Sequence, residues 1–281
     1  MLVTNDVALI TFVPFTCSLL QRDDQRKILL RIVVIEAAAA NLGSMATPIG
    51  NPQNLYLYST YSFSLGTFFK TILPIVGISY IGLLFSLLLI PQQPLAAEIP
   101  TESHLPLSAQ KKNLIIYSIL GVVCLTTVAG LVTHVVCFCV VLLGIIVTDR
   151  ALIRRVDWEL LLTFVCFFLF SGNLQQIESV RNLMMQGLSG GVCLTAALVS
   201  QVISNVPAAV LLSGFTEQEK ELLMGVDIGG LGTPIASLAS LIAYQYYAKS
   251  KLANPAKYLQ FFFIYQFIGL FLLLAIKFIM L

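Results

Sequence analysis

Two patterns run along this chain. Long apolar stretches dominate residues 7–20, 28–62, 66–90, 113–148, 157–171, 188–215, 222–248 and 258–281, and short polar or charged loops separate them. Two of these stretches are interrupted from within. At 41–54 the sequence reads Asn-Leu-Gly-Ser-Met-Ala-Thr-Pro-Ile-Gly-Asn-Pro-Gln-Asn, and at 227–240 it reads Asp-Ile-Gly-Gly-Leu-Gly-Thr-Pro-Ile-Ala-Ser-Leu-Ala-Ser. Gly43, Pro48, Gly50 and Pro52 cannot comfortably continue a helix, and neither can Gly229, Gly230 and Pro234. The pattern therefore predicts two broken helices, over 28–62 and 222–248. Arg31, the last charge before the first break, lies ten residues ahead of Asn41, about 15 Å of helix. That is half of a ~30 Å hydrocarbon core, so the break falls near the midplane, where irregular backbone survives only against protein or a watery cavity.

The two interruptions align without a gap. Gly229, Thr233, Pro234 and Ile235 match Gly43, Thr47, Pro48 and Ile49; Asp227 stands for Asn41, and Ser237 and Ser240 for Asn51 and Asn54. Each follows an Asn-tipped apolar segment, Thr4-Asn5-Asp6 in one case and Ser204-Asn205-Val206-Pro207 in the other. The first tip heads a run of about 14 residues, too short to span, which reads as one leg of a re-entrant hairpin; the second lies mid-way along 188–215, a complete hairpin. The first hairpin's other leg is expected ahead of Met1, on a longer chain or a separate polypeptide. The whole reads as an internal duplication: a first repeat over 1–90, a linker over 91–112 and a second repeat over 113–281.

Composition settles the class. Of 281 residues, 58% are hydrophobic and 11% charged, with a mean hydropathy of +0.90, which describes an integral membrane protein. The net charge of +2 gives no reason to expect nucleic acid. The six cysteines fall in apolar segments without metal-ligand spacing and read as buried thiols, and His104 and His134 read as surface residues. Trp158 reads as an interface anchor. With the 21–31 loop inside, 91–112, 149–155 and 249–257 also fall inside if 113–148 crosses twice. Those four segments then hold all of the 16 Lys and Arg except Lys70, Arg181, Lys220 and Lys277. This is the positive-inside bias; it predicts a cytoplasmic 91–112, an extracytoplasmic 216–221 and inverted repeats, in the plasma or inner membrane.

Asn5 and Asn205 can donate amide hydrogens to an anion, and Thr4, Asn51, Asn54, Ser204 and Ser237 add further polar groups. Helix ends at the breaks supply positive dipoles and free carbonyls, with glycines allowing close approach. Asp6, Asp227 and Glu36 are acids in apolar surroundings, suited to carrying a proton or holding Na⁺. No basic residue lies at midplane depth. A substrate anion would have to be met by dipoles, amides and a co-bound cation, or the substrate would have to be neutral.

The four motifs together resemble the ion transporter superfamily, and within it the arsenite-permease and citrate-transporter-like branch. That resemblance implies an all-α secondary transporter of elevator type, usually a homodimer, moving a small anion such as citrate or an arsenite-like oxyanion with Na⁺ or H⁺. Its binding residues would be Thr4, Asn5, Asp6, Asn41, Gly43, Thr47, Pro48, Gly50, Asn51, Asn54, Ser204, Asn205, Asp227, Gly229, Gly230, Thr233, Pro234 and Ser237. No cofactor beyond Na⁺ is implied. Three other readings compete: a channel subunit of an ATP-driven arsenite-type pump, with its ATPase elsewhere, a membrane-embedded aspartyl enzyme using Asp6 and Asp227, and a non-functional fragment.

Overall fold

The computed structural model describes residues 4–88, 90–91, 107–128, 130–154, 156 and 158–280. Most of the 91–112 linker, together with His104, lies outside these residues. Among the described residues there are helices and no strands. Helix α1 (Asn5–Leu19) is followed by α2 (Arg26–Ser44), an irregular turn, α3 (Pro52–Thr60) and α4 (Leu65–Leu88). Next come α5 (Leu107–Val128), α6 (His134–Thr148), a single turn α7 (Ala151–Arg154), α8 (Trp158–Gln176) and α9 (Glu178–Ser189). The chain closes with α10 (Val192–Ile203), α11 (Asn205–Ser213), α12 (Glu219–Ile228), α13 (Leu238–Ala248) and α14 (Pro255–Met280).

Only α4 and α14, among the described residues, are long and apolar enough to cross a bilayer as single unbroken helices. The two interrupted runs are split into shorter helices by Gly and Pro at 45–51 and 229–237. The span expected at 157–171 runs on to Gln176, then bends by 90° into α9. The segment 216–221 is only partly a loop, since Glu219 opens α12. Acidic residues in a first helical turn meet the positive end of the helix dipole.

The chain divides into two compact units, one of Met1–Ala97 with Cys166–Leu281 and one of Glu98–Val165. In the smaller unit, α5 and α6 pack together across the turn at Gly130. Gly144 closes on Leu120, and the Cys124 and Cys137 sulfurs lie 3.9 Å apart. The reading of all six cysteines as buried thiols holds only for Cys193: Cys17 and Cys137 are partly exposed, and Cys124, Cys139 and Cys166 are exposed. A thiol is apolar enough to sit on an outward helix face, so an apolar run does not imply burial.

In the larger unit the halves of the broken helices exchange partners. Helix α1 packs on α2 and on α13, while α11 packs on α12 and on α3; α2 meets α13 and α12 meets α3. Two apolar cores result. One gathers Leu57, Ala196, Ala197, Leu212 and Leu222; the other gathers Leu9, Val13, Val33, Ala243, Tyr247 and Tyr258. Helix α2 serves both, with Ala38 and Leu42 in the first and Ala37 and Ala40 in the second. Helix α10 lies close against α12 because α12 carries glycines there. A Cβ on Gly225 would stand 2.5 Å from the Cys193 carbonyl oxygen, and one on Gly229 2.8 Å from Ala197 Cα.

Candidate functional site

The first break forms where α2 runs out at Ser44, whose hydroxyl turns back to the Asn41 carbonyl (2.8 Å). A Cβ on Gly50 would overlap the Ser44 carbonyl, so this return of the chain admits only glycine. Asn51 caps α3 by accepting from the Asn54 amide (2.9 Å), with Pro52 in the first helical position. The Asn54 side chain donates to the carbonyls of Met45 (3.2 Å) and Thr47 (3.4 Å), which ties the loop across itself. Pro48 is buried, while Gly43 and Thr47 are partly exposed.

The second break is held from outside. Gln201 on α10 donates to the carbonyls of Gly229 and Leu231, both at 2.9 Å. It also accepts from the Thr233 amide at 2.8 Å. Gly232 takes φ +108° against this side chain. Thr233 accepts from the Ala236 amide, closing the short turn at Pro234. Ser237 then caps α13.

Both tips reach these breaks. Thr4 is the N-cap of α1, and the Asn5 amide donates to the Gly50 carbonyl (3.2 Å). The tip between α10 and α11 is a single residue, Ser204, at φ +76°. This left-handed conformation is costly for a side-chain-bearing residue. Its hydroxyl points to the Ala236 carbonyl (3.4 Å), and Asn205 packs against Gly230.

Asn41 joins the parts. Its side-chain Oδ1 accepts from Asn5 Nδ2 (3.4 Å) and Ser237 Oγ (2.7 Å), and its Nδ2 donates to the Gly230 carbonyl and Ser240 Oγ, both at 3.3 Å. All four hydrogen-bonding positions of the amide are thereby used. The aligned residue Asp227 is only half engaged. Asn51 Nδ2 (3.4 Å) and Gln53 Nε2 (3.3 Å) reach its Oδ1, while its Oδ2 is buried without a partner.

Asp6 Oδ1 and Asn54 Oδ1 are likewise buried and unpartnered. The Asn205 side chain makes no hydrogen bond among the described residues, although the residue is 4% exposed. Asn5, Asp6, Asn41, Asn51, Asn54, Ser204, Asn205, Asp227 and Ser237 are all buried. Glu36 stands apart: one carboxylate oxygen takes the Thr16 hydroxyl and the other has no partner.

Four helices, α1, α3, α11 and α13, begin at this cluster, while α2 and α12 end in it. Positive dipole ends therefore meet at this cluster, and among the described residues no Lys or Arg belongs to it. The break carbonyls expected to be free are instead taken, those of Met45, Thr47, Gly50, Gly229, Gly230, Leu231 and Ala236 each accepting a hydrogen bond. Sequence reading missed Gln53, Ser44 and Gln201. Gln53 lies inside the quoted motif, and Gln201 was marked only by being an amide within an apolar helix.

An apolar, all-helical chain with a polar centre built on interrupted helices is a multi-pass membrane protein of the kind that handles solutes. The chain belongs to the citrate transporter family, whose model matches residues 1–217 and so stops short of the second break. The uncharacterized transporter MJ0456 of Methanocaldococcus jannaschii is 33% identical over 242 residues, 86% of this chain and 65% of that protein. The inner membrane protein YbiR of Escherichia coli K12 is 34% identical over 256 residues, 85% of this chain and 64% of its own length. The chain thus spans just under two thirds of these relatives. The family is one of transporters, which sets aside the aspartyl enzyme.

Proposed function

We propose that this chain forms the core of a secondary transporter that moves a small anion, a carboxylate such as citrate or an arsenite-like oxyanion, together with Na⁺ or H⁺. The observation that carries the reading is the half-satisfied Asp227, held between amides from the opposite break and open at Oδ2. Four helix N-termini and the free Asn205 amide offer an anion positive ends and a donor. Asp6, Asp227 and Asn54 offer oxygen ligands to a hard cation. An ionised Asp227 repels an anion until a cation or proton joins it, and linkage makes each bound species favour the other. The exchanged packing of the half-helices supports inverted repeats over 1–90 and 113–281, with re-entrant tips at Asn5 and Asn205. A homodimer in the cell membrane, moving this block by an elevator-type shift, completes the reading.

Uptake into vesicles, with ion gradients imposed or collapsed, tests it. Asp227→Asn should uncouple uptake from the gradient. Asn205→Ala should weaken substrate binding by about 10- to 100-fold, the loss of one hydrogen bond to a charged group. Transport that ignores both gradients, or an Asp227→Asn variant that keeps its ion dependence, overturns the coupling role.

A further inference from the structure

A second charged feature lies away from the helix breaks. Lys70, Lys220 and Lys277, three of the four basic residues left outside the loops that the charge count groups together, line one cavity of about 590 Å³ at the ends of α4, α12 and α14. Among the described residues one acid shares it, Glu221, paired to Lys277. Lys277 holds its side chain at 10% exposure, while Lys70 and Lys220 are exposed. The cavity therefore presents an excess of positive charge where a membrane helix meets the headgroups.

Pro74, Ile75 and Ile78 on α4 continue the cavity wall inward. Ile78 also begins a second, apolar cavity of about 120 Å³, between α4, α14 and the side of α2. Gly82 lies in that wall, exposed, and a Cβ built on it would meet nothing within 4 Å. Ser86, Tyr265 and Gln266 also line this second cavity; Tyr265 bonds Ser86 at 2.8 Å, and Gln266 is fully buried with both amide atoms unpartnered. From Lys70 to Gly82 the helix rises about 18 Å, close to the ~15 Å depth of one leaflet.

We propose that the groove between α4 and α14 seats an anionic phospholipid, its headgroup phosphate on Lys70, Lys220 and Lys277 and one acyl chain along Ile78 and Gly82. Basic side chains near a membrane surface attract anionic lipid by about 1 kcal/mol each. Snorkelling lets Lys70 reach the headgroup while its stem lines the apolar wall. A free anion would use the lysines but leave the apolar extension unexplained.

The test is thermal unfolding of the detergent-purified protein with added lipid. Long-chain phosphatidylglycerol should raise the melting temperature in a saturable way, and phosphatidylcholine should not. Lys70→Gln/Lys220→Gln should weaken the phosphatidylglycerol effect about 30-fold in half-saturating concentration. Gly82→Leu should abolish it by filling the groove, with the lipid-free melting temperature unchanged. A chain-length series on the unaltered protein gives a readout independent of any variant, with eight-carbon chains protecting much less than sixteen-carbon chains. Equal protection by inorganic phosphate, no dependence on chain length, or no shift with phosphatidylglycerol overturns the proposal.

Discussion

Gly50 has no room for a side chain, because the Ser44 carbonyl occupies the place a Cβ would take. Gly50→Ala should cost about 3 kcal/mol or more, since the obstacle is backbone. Gly77→Ala on α4, where nothing lies within 4 Å of the new atom, should stay within about 1 kcal/mol of the parent. Melting temperatures in detergent compare the two. The same scale separates two residues that the alignment of the two motifs pairs. Both Asn41 and Asp227 stood out in the sequence as polar groups at a break, but their roles were not legible there. Asn41 spends all of its hydrogen bonds on protein, whereas Asp227 keeps one oxygen unpaired. That difference depends on groups some 190 residues away, which no local pattern encodes.

Among the elements, the two breaks solve one problem differently. The first is tied internally, through Asn51 and Asn54. The second has serines at those positions and is clipped by Gln201 of α10. Gln201→Leu would strand the carbonyls of Gly229 and Leu231 and the Thr233 amide. At about 1–3 kcal/mol for each buried group left unpaired, amide exchange across 229–236 should rise steeply while α14 stays protected. Exchange unchanged across the break would show that the clip is dispensable. The interruptions themselves were legible, because Gly and Pro act locally. The clip was not, since a lone glutamine in an apolar helix shows that it needs partners without showing which. The sharp turn into α9 was missed for a related reason: residues 172–187 lack the proline that would mark it.

For the whole molecule, apolar composition and the distribution of Lys and Arg carried the membrane reading, and the family match agrees with it. The charge count also yields a layout, with 91–112 cytoplasmic and 216–221 across the membrane. In a background without native cysteines, Thr101→Cys should be labelled by impermeant maleimide only from the cytoplasmic side, and Gln218→Cys only from the other. Labelling of both from one side refutes the inverted arrangement. Exchange of half-helix partners between the two broken helices was out of reach of the sequence, because aligning the two motifs says nothing of which segments touch. That exchange also bears on how the chain is made. Asn41 bonds Ser237 and Ser240, which lie 196 and 199 residues further on. At roughly 5–20 residues per second of synthesis, its amide leaves the ribosome about 10–40 seconds before those serines exist. Throughout that interval the first break must find water, the insertion machinery or a temporary neighbour for its polar groups. The site is thus completed late in synthesis, with only the rest of α13 and α14 still to follow.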